Sequence, residues 1–145
     1  PSYTWQRCYI SRINMERYLY FRTQATDSED DNTDDSACYP ASSLMGMVPA
    51  SNNTLILAFK PMLRRTPSGN EPDANASFDN HDLITLNLTT NNTHLKAMKA
   101  IAEAATKSHS SLVVVANDDS GGTEYLSESG IASVDTIVVR GVYAN

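Results

Sequence analysis

The chain has 145 residues, enough for one domain whose core needs no disulfide staples. Its 17 acidic and 11 basic side chains leave a net charge of −6, and 41% of its residues are hydrophobic. No apolar run approaches the roughly 20 residues of a membrane-spanning helix, and Arg64–Arg65 is the one adjacent pair of bases, which argues against nucleic acid as a partner.

The acidity is local. Residues 27–35 hold six carboxylates and no base, so the rest of the chain is electrically neutral. Two cysteines, Cys8 and Cys38, are compatible with one disulfide or with two reduced thiols. The chain opens Pro-Ser-Tyr and turns strand-like at once. We therefore expect no signal peptide, and an initiator methionine removed before Pro1.

In chain order, residues 3–13 are rich in aromatic and β-branched side chains and predict a strand. A turn at 14–16 leads to a second strand over 17–23, with Leu19, Phe21 and Thr23 on one face and Tyr18, Tyr20 and Arg22 on the other. These two strands are expected to form a hairpin. The acidic segment follows as the first of two long loops. Residues 40–45 predict a short helix, since Pro40 suits a first helical turn and Gly46 ends it. Asn52–Asn53 marks a turn before a strand over 54–60, whose Leu55, Leu57 and Phe59 share a face.

Residues 61–81 form the second long loop, because Pro61, Pro67 and Pro72 prevent regular pairing. Strict alternation over 82–88 predicts a half-buried strand. One helix is expected over 94–107, with Leu95, Met98, Ile101, Ala102 and Ala105 on its apolar stripe and Lys96, Lys99 and Glu103 off it. Asn92 or Thr93 is its expected cap. The apolar run 112–116 predicts a central strand covered on both faces. A turn over 117–122, a short strand over 124–126 and a last strand over 134–142 complete the reading. The fold class is α+β: a single domain over residues 1–145, mostly antiparallel sheet, with one main helix packed on it and two long loops.

The chemistry-bearing candidates are few. Asp27, Glu29 and Asp31 are candidate calcium ligands, but an EF-hand fails because Asn32 and Cys38 stand where its Gly and Glu belong. The turn 117–122 (Asn-Asp-Asp-Ser-Gly-Gly) has the residues of a nest-like ion site, and also those that any tight turn after a buried strand requires. Among His81, His94 and His109 no metal-ligand spacing occurs, and no nucleophile elbow or Gly-rich phosphate loop is present. We expect no catalytic residue, no cofactor and no metal. Trp5, Tyr9, Tyr18 and Tyr20 form an aromatic set suited to a packed interface or to stacking on sugars.

Three short runs carry a family resemblance: residues 22–27 (Arg-Thr-Gln-Ala-Thr-Asp), 38–42 (Cys-Tyr-Pro-Ala-Ser) and 112–118 (Leu-Val-Val-Val-Ala-Asn-Asp). They resemble small accessory structural proteins of tailed phages, particularly those of marine cyanobacteria. The resemblance implies a non-enzymatic virion component, made in the host cytoplasm: a capsid decoration, cement or lattice subunit. Its partners would be further copies of itself and a major capsid protein or another particle component. The interface candidates are Arg64 and Arg65 in the Pro-rich loop and Trp5, Tyr18 and Tyr20 on the first hairpin. Two alternatives remain open: a host-surface or glycan-binding module using the aromatics, and a small hydrolase-like enzyme whose site leaves no motif.

Overall fold

A computed structural model describes residues 16–62 and 81–139. Within them the order is β1 (Tyr18–Arg22), β2 (Ser36–Pro40), β3 (Leu44–Ser51), β4 (Thr54–Phe59), β5 (Asp82–Leu88), α1 (His94–Lys107), β6 (Leu112–Asn117), β7 (Glu124–Tyr125) and β8 (Ile131–Val138). The fold is α+β and mostly sheet, but the strands divide between two sheets where one was expected. The first sheet runs β2-β1-β6-β7 and the second β3-β4-β5-β8. All pairs are antiparallel except β1 with β6.

The inner faces of both sheets meet in one continuous core. From the first sheet come Leu19, Phe21, Tyr39, Val113 and Val115; from the second, Leu55, Leu57, Phe59, Ile84 and Leu86. Tyr39 stacks on Phe59 at 4.3 Å between ring centroids, and Phe21 meets the same ring edge-on at 5.9 Å. Each fully buried side chain of this size stabilises the fold by about 1.5–3 kcal/mol.

The helix adds Ala97 and Ile101 to the core, with Met98, Ala104 and Ala105 packed against it. Leu95, 78% exposed, and Ala102, also exposed, depart from expectation. The buried stripe follows positions 97, 101, 104 and 105, and Leu95 lies off it on the first turn. Thr93 takes the N-cap position, yet its hydroxyl donates to the Thr90 carbonyl rather than to the helix. His94 secures this end: its Nε2 lies 2.8 Å from the Ser51 carbonyl and 3.0 Å from that of Thr54. Two carbonyl acceptors require a proton on Nε2, so His94 staples the β3–β4 turn to α1.

Other expectations are corrected. The short helix over 40–45 is a single 3-10 turn, Ala41–Ser43, after which the chain enters β3. Pairing with β4 across the Asn52–Asn53 turn overrides the local helical tendency. The strand at 112–116 is interior to its sheet, yet Leu112 is exposed and Val114 half-buried, so only one face is fully covered. The last strand begins at Ile131 rather than 134, entered through Gly130 at φ 74°. The strand expected at 3–13 and most of the loop at 61–81 lie outside the described residues. The described partners of β1 are β2 and β6.

Candidate functional site

Two of the sequence candidates are brought together at one place, the carboxyl ends of β1 and β6. These parallel strands end at Arg22 and Asn117, and the acidic connection and the 117–122 turn both leave from there. Arg22 is 5% exposed. Its Nη1 donates to Asp27 at 2.7 Å and lies 3.7 Å from Asp119, while its Nε donates to the Gln24 carbonyl. The hydrogen bond that Arg22 donates to Asp27 pushes the Arg22 pKa up, against the opposing effect of burial. The Ser120 backbone N–H and hydroxyl both donate to the Ala25 carbonyl, closing one loop onto the other.

Asp35 holds the other side of the acidic segment. Its carboxylate accepts the backbone N–H groups of Asp31 and Asn32 at 3.0 and 2.8 Å and the Gln24 amide at 2.9 Å. Burial alone would raise its pKa, but these donors outweigh it and the pKa is lowered. The calcium candidates are spread out by this arrangement. Asp27 is held by Arg22, Asp31 accepts from Asn32, and Glu29 has no side-chain partner among the described residues. Among the described residues no group of three or more acidic, His or Cys side chains is placed to hold a metal.

In the 117–122 turn Asp118 turns inward. It accepts the Tyr125 hydroxyl at 2.6 Å and the Val134 backbone N–H at 2.9 Å, which links the first sheet to β8. Asp119 accepts the Gly121 N–H and Asn117 accepts the Asp119 N–H, as in ordinary Asx turns. His81 presents a buried Nδ1 without a hydrogen-bond partner among the described residues, and His109 is exposed.

The interface candidates divide. Trp5, Tyr9, Arg64 and Arg65 lie outside the described residues, as does Cys8; Cys38 is exposed and free among the described residues. Tyr18 and Tyr20 share the outer face of the first sheet. There Tyr18 pairs with Pro40 and Leu112, and Tyr20 with Cys38 and Val114. Tyr18 and Leu112 are 42% and 46% exposed, so this face is apolar and open at its lower end.

A second apolar face escaped the sequence reading. On the outside of the second sheet Gly46, Ala58, Leu83 and Val138 form a row across all four strands. Val48 and Ile56 continue it on β3 and β4. At its margin a depression of about 230 Å³ is lined by Met45, Met47, Val48 and His81. Among the described residues β3 is an edge strand, with Met45 and Val48 exposed. Proteins usually guard such an edge with charge, but residues 36–59 contain no Asp, Glu, Lys or Arg. That charge-free stretch was visible in the sequence and was the signal that would have found this face.

An open groove of about 720 Å³ lies between α1 and the turn at 126–128. Lys96, Lys99, Glu103 and Lys107 line its helix side, and Glu128 stands on the opposite wall. Glu128 sits at φ 58°, in the left-handed region, within a turn tied by Ser129, whose hydroxyl donates to the Leu126 carbonyl.

Among the described residues no helix is long and apolar enough to cross a membrane. No family model matches the chain, and neither a curated protein nor a solved structure gives a significant match.

Proposed function

We propose that this chain is a non-enzymatic structural subunit that works by packing against further copies of itself and against a shell, as a capsid decoration or lattice protein does. The observation that carries the reading is the charge-free edge of the second sheet and the exposed apolar side chains beside it. Among the described residues its eight-residue edge strand carries no charge, and Met45 and Val48 are exposed on it; Pro49 and two register shifts leave Gly46, Met47 and Val48 as its regular stretch. Such an edge is a template for another chain, and in a protein that functions alone it is an aggregation hazard. The three runs that resemble phage accessory proteins point the same way, and the polar clusters around Arg22, Asp35 and Asp118 are spent on holding loops.

The test is the molar mass of the purified chain by light scattering, over a range of concentrations and at two ionic strengths. A defined oligomer is the expected result. A monomer under every condition would overturn the self-assembling subunit.

A further inference from the structure

We propose that the lysine groove beside α1 receives the acidic 27–35 loop of a second copy of this chain, so that copies join head to tail. The proposal rests on the assembly reading above and assigns it a joint.

Charge complementarity is the first argument. Lys96, Lys99 and Lys107 are exposed and make no ion pair with any described residue, although Glu103 lies four positions from both Lys99 and Lys107 on the same helix. The loop likewise presents Glu29 and Asp34, exposed and with no side-chain partner among the described residues. Among the described residues the groove thus holds three lysines against Glu103 and Glu128, a net positive strip, and the loop tip is net negative.

Position is the second. The loop leaves the carboxyl end of β1, directly after Arg22. The Lys107 end of the groove lies at the amino end of the same strand, where Arg17 donates to the Ser108 carbonyl and the Tyr18 N–H to that of Ser111. A strand of five residues separates them by about 16 Å. The Lys107 end of the groove and the loop therefore lie at opposite ends of β1, and the loop is pinned there by Arg22 and Ser120. A contact between unlike patches of identical chains is heterologous, and repeats into a ring or a filament.

Preorganisation is the third. The acidic segment is already shaped by the Arg22–Asp27 ion pair and the Asp35 hydrogen bonds, so little ordering cost falls on binding. Glu103 and Glu128 also line the groove and repel carboxylates that face them, which restricts the loop to the register that avoids them.

Two variants test the joint. Glu29→Gln with Asp34→Asn blunts the loop, and Lys96→Glu with Lys99→Glu reverses the groove; all four side chains are exposed, and circular dichroism checks the fold. The wild-type chain should show a salt-sensitive association step that weakens tenfold or more between about 0.05 and 0.5 M salt. Each variant alone should lose that step. An equimolar mixture should regain one contact per pair and stop there, because each partner keeps only half of the joint. Variants that associate as the wild type does, or a mixture that regains nothing, would overturn the joint. Salt-insensitive wild-type assembly would also overturn it while leaving the subunit reading intact; a wild-type monomer under all conditions would overturn both.

Discussion

The hydroxyl of Tyr39 donates to the carboxyl of Asp82 at 2.8 Å inside the core, and this bond joins the first sheet to the second. Both side chains are fully buried. Asp82 also accepts the Met62 backbone N–H at 3.1 Å, so one buried acid fixes β2, β5 and the chain leaving β4. Burial first, and then Asp82, push the Tyr39 pKa far above the usual tyrosine range, which keeps the donor proton in place.

Tyr39→Phe should therefore cost more than a surface hydrogen bond. It keeps the ring stacked on Phe59 but strips a donor from a buried carboxyl, a change worth about 1–3 kcal/mol. Urea unfolding should show a lower midpoint with the same slope. Adding Asp82→Asn to Tyr39→Phe should cost less than the two single changes summed, since they share one bond.

Tyr125 and Asp118 make the corresponding tie near the edge of the first sheet, and here the pKa lies within reach. Burial, followed by Asp118, raises the Tyr125 pKa to about 12. A folded-state value above the ordinary 10.0 means that the bond contributes fully below pH 10 and is lost as pH rises towards 12. Absorbance titration should show a late phenolate transition that Tyr125→Phe removes. The same substitution should cost about 1 kcal/mol at neutral pH, as a part-buried hydrogen bond does.

The acidic connection should loosen at low pH for the opposite reason. The Asp35 pKa is lowered in the folded chain from 3.8, so its stabilisation is present above that value and fades as pH falls through the lower folded one. Amide exchange at Asp31 and Asn32 should reveal it, because both N–H groups donate to this carboxylate. Asp35→Ala should speed their exchange at neutral pH by about tenfold, the equivalent of one net hydrogen bond. Asp35→Asn, which retains one acceptor oxygen, should fall between. Unchanged protection in the alanine variant would show that the loop is shaped elsewhere.

What was legible in the sequence was local. The helix bounds 94–107, the alternation over 82–88 and the burial of Leu55, Leu57 and Phe59 all follow from spacing along a single segment. The division into two sheets does not, because the pairing of β1 with β6 joins residues more than ninety positions apart and leaves no periodic trace. Leu95 failed for a related reason: a helical wheel gives the stripe, but the sheet beneath decides where it ends. The burial of Asp82 goes with partners that no local pattern shows, among them Tyr39 from the other sheet and the Met62 N–H. The meeting of Asp27 with Arg22 and Asp119 was equally invisible, although both acidic segments had been singled out.

The outer face of the second sheet gives the most direct functional prediction. Met45 and Val48 are exposed on β3, at 55% and 38%, and neither belongs to the core. A lysine at either position would bring to this edge the charge that natural edge strands carry against pairing. Because the sites are exposed, Met45→Lys and Val48→Lys should change stability by no more than about 0.5 kcal/mol. If the edge is the salt-resistant joint, each should lower the mass seen by light scattering at high ionic strength, and the pair together should abolish that association. The salt-sensitive step assigned to the lysine groove should survive them. Were the double variant to assemble as the wild type does, the second sheet would be no joint, and the face carrying Tyr18 and Leu112 would take its place in the argument.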